Sequence, residues 1–152
     1  LILSRIELVS FSHSLFSVYE EDKRLTFLFE TNKAKIYADM DAIKLGVILD
    51  SLLSNAVKFT PDGGSIRLSL FYREETGLVD ICVSDTGSGI PPRDIPYIFQ
   101  RFFQSPHSGN KEGTGIGLYL VKTYTELHGG HITGVTSEEG KGTSVGLNIL
   151  PS

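Results

Sequence analysis

Two glycine-rich segments carry the residue types of this chain that are best suited to ligand chemistry. Residues 85–90 read DTGSGI and follow an apolar run, so Asp85 ends a predicted strand. Because Gly87 and Gly89 lack side chains, a ligand can approach this main chain closely while Asp85 offers a hydrogen-bond acceptor. Residues 113–118 read GTGIGL and open a predicted helix, whose first N–H groups favour phosphate. Together the two segments predict a nucleotide site.

Other glycine-rich nucleotide motifs do not fit either segment. The dinucleotide fingerprint needs Gly-x-Gly-x-x-Gly, and its third glycine would fall on Pro92, Leu118 or Leu120. A P-loop needs a glycine five residues before a Gly-Lys pair, and the chain has Val135 there. The catalytic loop of protein kinases is also absent from the sequence. For each segment taken singly, a purely structural turn remains the alternative.

A predicted helix over residues 41–60 brings a further set of polar residues to this site. Its apolar residues recur at steps of three and four, which is typical of a helix facing a core. Ser51, Asn55 and Lys58 share another face because their spacings are four and three. Asn55 lies among apolar neighbours, where an unpaired amide costs roughly 1–3 kcal/mol. A core hydrogen bond and a metal or phosphate ligand are both open, and the glycine segments favour the ligand.

The remaining pattern predicts an α+β two-layer sandwich, in which helices cover one face of a mixed sheet. The strands are expected at residues 6–11, 25–30, 36–39, 65–75, 78–83, 131–136 and 143–150, and the helices at 1–5, 12–21, 41–60, 95–103 and 116–128. Three hairpins are expected, between the second and third, the fourth and fifth, and the last two strands. The polar segment 104–112 lies between two ligand segments and is expected to act as a lid.

The size and composition are those of one globular domain. The chain has 152 residues, 40% of them hydrophobic and 21% charged, which suits a single core and excludes disorder. A net charge of −4 argues against a broad nucleic-acid binder, although a local cationic site stays open. The only cysteine, Cys82, is expected to be a small buried hydrophobe. Because the chain starts at Leu1 in mid-pattern, we expect it to be a piece of a longer protein.

Five segments taken together resemble the N, G1, F, G2 and G3 boxes of sensor histidine kinases. In chain order they are NAVKFTP at 55–61, DTGSGI at 85–90, IFQRFF at 98–103, GTGIGL at 113–118 and GKGT at 140–143. Each box is weak alone, and the specific signal is five boxes in the right order with the right gaps. The resemblance implies the catalytic ATP-binding domain of such a kinase, with the Bergerat-type fold shared with gyrase, Hsp90 and MutL.

The resemblance also implies a role for each matching residue. Asn55 would bind Mg²⁺ through its amide oxygen, and Lys58 and Arg101 would supply positive charge for catalysis at the phosphates. Asp85 would accept a hydrogen bond from the adenine amino group, and Phe59 would either stack near the adenine or pack in the core. The other implied ATP-binding residues are Gly87, Gly89, Ile90, Lys111, Gly113, Thr114, Gly115, Ile116, Gly117, Leu118 and Thr143.

Two positions depart from the family's pattern. Ser51 stands where the superfamily often has asparagine or glutamate, and serine is a poor base for activating water. We therefore expect weak intrinsic ATP hydrolysis. Gln104 stands where many members have an arginine that reaches the γ-phosphate. That role then passes to Arg101, Lys111 or the partner domain, or is lost.

The phosphoacceptor histidine of the family is not recognisable in this chain. None of His13, His107, His128 and His131 lies in the required setting, so we expect the chain to bind ATP without phosphorylating itself. The resemblance implies that residues 1–5 are the remnant of an upstream dimerisation and phosphoacceptor helix. Residues 6–152 would form the catalytic domain.

The resemblance also implies partners and a location. The γ-phosphoryl group would pass to a histidine on the dimerisation domain of the same protein, and then to an aspartate of a response-regulator receiver domain. The piece itself would be monomeric and cytoplasmic and its parent a homodimer, with anchoring of the parent in the inner membrane left open. Two alternatives are a protein-serine kinase of the anti-sigma type and a nucleotide-sensing domain without catalysis.

Overall fold

A five-stranded mixed sheet with helices on one face forms the centre of the molecule. The computed structural model describes residues 1–101, 103 and 117–151. The strands are β1 (Ser4–Glu7), β2 (Thr26–Thr31), β3 (Tyr37–Met40), β4 (Ser65–Arg73), β5 (Leu78–Asp85), β6 (His131–Glu138) and β7 (Gly142–Ile149). The α-helices of the described part are α1 (Leu8–Tyr19), α2 (Ala42–Phe59) and α3 (Gly117–Leu127). The predicted α+β sandwich is confirmed.

The strand order across the main sheet is β2-β4-β5-β7-β6. Strands β2 and β4 are parallel, and the other neighbours in this sheet are antiparallel. Strands β1 and β3 form a separate antiparallel pair. The hairpins β4–β5 and β6–β7 are as predicted, so the β4–β5 hairpin brings Asp85 to the end of a central strand.

The core lies between the sheet and the helices. Helix α2 contributes the buried residues of its predicted apolar stripe, which are Leu45, Ile48, Leu49, Leu52 and Ala56. The facing side of β4, β5 and β7 is apolar, with every second residue buried for most of each strand. Helix α3 packs along α2 and against β6 and β7. This packing holds α2 and α3 side by side over the sheet, which positions the residues that begin and end them.

The predictions for the first 11 residues are wrong, whereas the helix predicted over residues 12–21 is present with an earlier start and ends at Tyr19. Ser4 and Arg5 lie in β1, not in a helix, and α1 begins at Leu8. The Glu7 carboxylate caps α1 by accepting the N–H groups of Val9 and Ser10 at 2.8 and 3.0 Å. It also accepts the N–H of Ile36 at 2.8 Å, a partner 29 residues away that local patterning does not reveal. The proposed division of the chain at residue 6 stays a prediction.

Three further expectations are corrected by the structure. Strands β2 and β3 do not pair with each other, because β2 pairs with β4 and β3 with β1. The helix expected at residues 95–103 is a 3-10 helix at Ile95–Tyr97, followed by separate turns such as the Gln100 N–H to Tyr97 C=O bond of 2.9 Å. Cys82, which was expected to be buried, is half-buried.

In the part of the chain that the structure describes, no helix has the length and apolar character needed to cross a membrane.

Candidate functional site

Asp85 ends β5 with a carboxylate that is half-buried and only partly provided with donors. Its Oδ1 atom accepts the Gly87 N–H at 2.8 Å, and the Thr143 N–H is a second backbone donor. Burial raises the pKa of Asp85 above its ordinary value, although these two N–H groups act in the opposite direction. A ligand that supplies a further hydrogen-bond donor would therefore stabilise the charged form of this carboxylate.

The loop that follows Asp85 is held against the end of α2. The Ser88 N–H donates to the carbonyl of Phe59 at 3.1 Å. Thr86 donates its N–H to the carbonyl of Ser65 at 3.1 Å, and its Oγ1 accepts the Ser65 N–H at 2.9 Å. These bonds fix the loop between the last residue of α2 and the first residue of β4.

Gly87 and Gly89 are required by protein backbone that packs against them. A Cβ atom on Gly87 would lie 2.6 Å from the Phe59 carbonyl oxygen, and one on Gly89 would overlap the Glu138 carbonyl. Gly89 also has a φ of +78°, a conformation that favours glycine. The sequence alone predicts that both glycines allow close approach by a ligand. In the structure, the space that their missing side chains leave is used by the protein itself.

The turn between β6 and β7 closes over the other side of this loop. The Gly140 N–H donates to the Ser88 carbonyl at 2.8 Å, and the Ile90 N–H donates to Ser137 Oγ at 2.6 Å. A Cβ atom on Gly142 would overlap the Asp85 carbonyl oxygen, and Gly142 has a φ of +129°. The loop after β5 is thus held from two sides, by α2 and by the β6–β7 turn.

A second part of the site lies where α3 begins against α2. A Cβ atom on Gly117 would lie 3.5 Å from Cβ and Oγ of Ser51, which is ordinary contact. Asn55 lies one turn further along α2. It is half-buried, and its side chain makes no hydrogen bond with any residue that the structure describes. Lys58 lies near the end of the same helix, with its Nζ 5.3 Å from the ring centre of Phe59. The Ser51 end of the predicted face of α2 therefore lies beside the first turn of α3.

The structure places the other predicted residues as follows. Gly117 and Leu118 begin α3 and are both half-buried. Thr143 is half-buried and is the register partner of Asp85 on the neighbouring strand. Arg101 is exposed in a turn after the buried Ile98. The predicted residues that lie outside the described part are Lys111, Gly113, Thr114, Gly115 and Ile116, together with Gln104, His107 and the rest of the expected lid segment.

Sequence reasoning missed the polar residues that hold the loop in place. Ser137 contacts Ile90 and Thr143, and Thr86 contacts Ser65, yet none of these contacts has a local sequence signal. Their partners lie between 6 and 47 residues away along the chain. The predicted hairpin placed Ser137 in the turn between its two strands, and the pairing of Ser137 with Thr143 is seen only in the structure.

Comparison with known proteins identifies the family. Residues 40–152 match the model of the histidine kinase-, DNA gyrase B- and HSP90-like ATPases, and the chain belongs to this family. It is 33% identical over 148 residues to the sensor histidine kinase WalK of Bacillus subtilis, covering 95% of this chain and 24% of WalK. The chain thus spans about a quarter of the length of this relative.

Solved structures agree with this family in fold. The catalytic domain of the histidine kinase ThkA superposes with a TM-score of 0.84 at 24% identity, over 99% of this chain and 97% of that domain. Full-length ShkA in complex with AMPPNP gives a TM-score of 0.83 at 25% identity, over 99% of this chain and 31% of ShkA. The expected fold of a histidine kinase catalytic domain is confirmed.

Proposed function

We propose that this chain is the ATP–Mg²⁺ binding domain of a sensor histidine kinase. It donates the γ-phosphoryl group of ATP to a histidine on a separate dimerisation domain of the same protein, for relay to an aspartate of a response regulator. The observation that carries this proposal is the half-buried Asp85 carboxylate, which the β4–β5 hairpin brings to the end of a central strand in a protein that belongs to an ATPase family. The named relatives, such as WalK, are sensor histidine kinases.

The adenine is assigned to the end of the sheet. The Asp85 carboxylate accepts a hydrogen bond from the amino group, and Thr143 lies beside it on the neighbouring strand. Phe59, Gly87, Gly89 and Ile90 then line the base. Two observations support this position: hydrogen bonds hold the loop from both sides, and among the described residues the carboxylate accepts only the N–H groups of Gly87 and Thr143. A base with an exocyclic amine supplies such a donor.

The phosphates are assigned to the start of α3. The free N–H groups and the partial positive charge of a helix N-terminus favour anions, and Gly117 and Leu118 occupy that first turn. Lys58 contributes a point charge from α2, and Arg101 contributes another from the turn after Ile98. The predicted phosphate contacts of Lys111, Gly113, Thr114, Gly115 and Ile116 belong to the same proposal.

The donor chemistry of the site fits Mg²⁺. Asn55 offers a hard amide oxygen at a half-buried position, one turn along α2 from Ser51, which lies beside Gly117. Among the described residues, no group of three His, Cys, Asp or Glu could hold a metal ion. We assign Asn55 as the residue of the described chain that would hold Mg²⁺ together with the triphosphate. When bound, Mg²⁺ neutralises charge on the phosphate oxygens.

The acceptor histidine is assigned to another domain. His128 is buried with its Nδ1 2.7 Å from the Tyr124 carbonyl and its Nε2 3.1 Å from the Asp41 N–H, so both ring nitrogens are engaged. His13 packs edge-on against Phe29. The position of Ser51 beside Gly117 offers no carboxylate for activating water, which supports slow hydrolysis in the absence of the acceptor. We place the domain in the cytoplasm and the parent protein in a homodimer.

Binding and transfer are tested separately. Titration of the chain with a fluorescent ATP analogue in Mg²⁺ should give saturable binding, which EDTA weakens. Adding the dimerisation domain of the parent and γ-labelled ATP should then label that domain with an acid-labile, base-stable phosphate. Absence of saturable binding would contradict the nucleotide site. Binding without transfer would contradict the kinase, and an acid-stable phosphate would instead indicate a protein-serine kinase.

A further inference from the structure

Ser137, Thr143 and Asp85 form one row across three strands. Ser137 on β6 is the register partner of Thr143 on β7, and Thr143 is the partner of Asp85 on β5. Directly opposed side chains in antiparallel strands lie on the same face, about 4.5–5.5 Å apart at Cβ. Val83 and Val145 are buried two residues away in β5 and β7, so this row lies on the helix-covered face of the sheet.

The Ser137 hydroxyl has three partners that together determine its polarity. Its Oγ lies 3.2 Å from the Gly142 carbonyl, 2.9 Å from Thr143 Oγ1 and 2.6 Å from the Ile90 nitrogen. A carbonyl can only accept and a backbone N–H can only donate. Satisfying all three contacts at the same time requires the single proton of Ser137 to go to Gly142 while one lone pair accepts from Ile90. The second lone pair is left to accept the proton of Thr143.

In this arrangement the hydroxyl of Thr143 donates to Ser137 Oγ. Its lone pairs are then the only hydrogen-bonding capacity that it can offer to a ligand beside Asp85. With the Asp85 carboxylate, this gives two neighbouring acceptors on one face and no hydroxyl donor. Such a pair suits a base edge that carries an amine and disfavours a base edge that carries a carbonyl at the same position.

We propose that Ser137 is a positioning residue for purine selection. It fixes the Thr143 hydroxyl as an acceptor and holds the loop after β5 through the Ile90 N–H, so that the site prefers 6-amino over 6-oxo purine nucleotides. Ser137 acts through Thr143 and Ile90 and does not itself touch the base. This inference rests on the proposed function, because it assumes that the purine lies beside Asp85 and Thr143.

The test compares Mg²⁺-dependent affinity for ATP with that for inosine triphosphate, which has a 6-oxo group. In Ser137→Ala the Thr143 hydroxyl is free to rotate and donate to the 6-oxo group. We expect ATP affinity to fall by roughly fivefold to tenfold, in line with the loss of one hydrogen-bonded network, while inosine triphosphate affinity falls less or rises. Ser137→Thr keeps the hydroxyl and should restore the preference for ATP.

A matched control lies one residue along the same β5–β7 ladder on the opposite face of the sheet. Ser84 and Ser144 share a hydrogen bond of 2.8 Å there, and Ser144→Ala should leave both affinities unchanged. Thr143→Val provides a second route to the same question, because it removes the hydroxyl with little change of shape. It should also reduce the ratio of ATP to inosine triphosphate affinity, even if Ser137→Ala fails to fold.

The outcomes separate the inference from the proposed function. A reduced ratio in Ser137→Ala or in Thr143→Val, with Ser144→Ala unaffected, supports the positioning role. Equal losses for both nucleotides, or no loss in either variant, would overturn it while leaving the ATP site intact. If the wild-type chain did not bind ATP, the proposed function would be wrong, and the positioning role of Ser137 would be wrong with it.

Discussion

Asp41 caps the start of α2, and Asp85, at the end of β5, lies near the other end of the same helix. The environments of these two aspartates shift their pKa in opposite directions. Asp41 is buried. Hydrogen bonds from the N–H groups of Ile2 and Lys44, at 3.0 and 3.1 Å, lower the pKa of Asp41 to about 2. Asp85 lies beyond the other end of the helix, against the loop that packs on Phe59. Burial raises the pKa of Asp85 despite its two backbone donors.

This contrast separates a structural carboxylate from one suited to a ligand. Around Asp41, the charged form receives the hydrogen bonds it needs within the protein. The backbone of Asp41 also donates to His128 Nε2 at 3.1 Å, which ties the start of α2 to the end of α3. Around Asp85, the protein fixes the backbone firmly but leaves the charge only partly compensated. The free-energy cost of partly burying this charge is expected for a carboxylate whose hydrogen bonding is completed by a ligand.

The largest expected effect is the loss of ATP binding in Asp85→Ala. Hydrogen bonds to charged groups contribute about 1.5–3 kcal/mol, so affinity for Mg²⁺–ATP should fall on the order of 100-fold. Isothermal titration calorimetry measures this, and circular dichroism checks that the fold persists. Asp80→Asn is the control on the same strand, because Asp80 pairs with Arg73 at the surface. If Asp85→Ala bound Mg²⁺–ATP with wild-type affinity, Asp85 would not be a ligand-binding residue, and its contrast with Asp41 would no longer hold.

Asn55→Ala should weaken Mg²⁺-dependent nucleotide binding without lowering the stability of the fold. Alanine suits a helix interior, and the Asn55 side chain has no hydrogen bond to any residue in the described ranges, so the melting temperature should hardly change. Affinity for Mg²⁺–ATP should fall by at least about tenfold, while binding in EDTA stays as weak as in the wild type. Ser54→Ala, at an exposed neighbouring position, should change neither quantity. An Mg²⁺-dependence equal to that of the wild type would rule out Asn55 as the ligand.

Asp41→Asn should show the reverse behaviour, with lower stability and unchanged nucleotide affinity. We expect the melting temperature to fall by a few degrees, because the amide is a weaker acceptor for the Ile2 and Lys44 N–H groups. The stability that the Asp41 charge contributes is present above its ordinary pKa of about 3.9 and is lost as the pH falls towards 2. The difference between wild type and variant should therefore shrink over that acidic range.

Asp39→Asn is the matched control for this measurement. Asp39 is exposed and lies two residues earlier in β3. Its replacement should leave both the melting temperature at neutral pH and its acid dependence close to wild type. If Asp41→Asn lost nucleotide affinity at an unchanged melting temperature, the assignment of Asp41 to stability alone would be wrong.

The two ends of α2 also differ in how well they could be predicted from sequence. The functional end follows from local features: the steps of three and four in α2, the strand before Asp85, and the glycine segments. The structural end depends on Ile2 and His128, whose partner Asp41 lies 39 and 87 residues away along the chain. The contact of Glu7 with Ile36, 29 residues away, is of the same kind at the start of α1. No period or turn signal encodes such contacts. The first helix and strand were misplaced for this reason.

The parallel pairing of β2 with β4 was missed on similar grounds. Strands that are neighbours in sequence usually pair as hairpins, and a parallel pair needs a long crossover, here through β3 and α2. The residue types at the site were predicted, but the reason for Gly87 and Gly89 was not, because the backbone that fills their space comes from Phe59 and Glu138. A sequence indicates that a side chain is missing there, and only the fold shows what uses the space.

The smallest expected effect is the pH dependence of the unliganded chain at Asp85. Because its pKa is raised in the folded state, the protonated form contributes stability below the ordinary pKa. That contribution is lost as the pH rises through the folded value. Asp85→Asn stays neutral, so without nucleotide the variant should be as stable as the wild type at neutral pH, or slightly more stable. Urea denaturation from pH 4 to 7 measures the difference.

Nucleotide should reverse this order of stability. A bound amine favours the charged carboxylate, so saturating ATP and Mg²⁺ should stabilise the wild type more than Asp85→Asn at neutral pH. If Asp85→Asn were clearly less stable than the wild type without nucleotide, the carboxylate would contribute to the fold as Asp41 does. The contrast between the two ends of α2 would then be lost, because both aspartates would be structural.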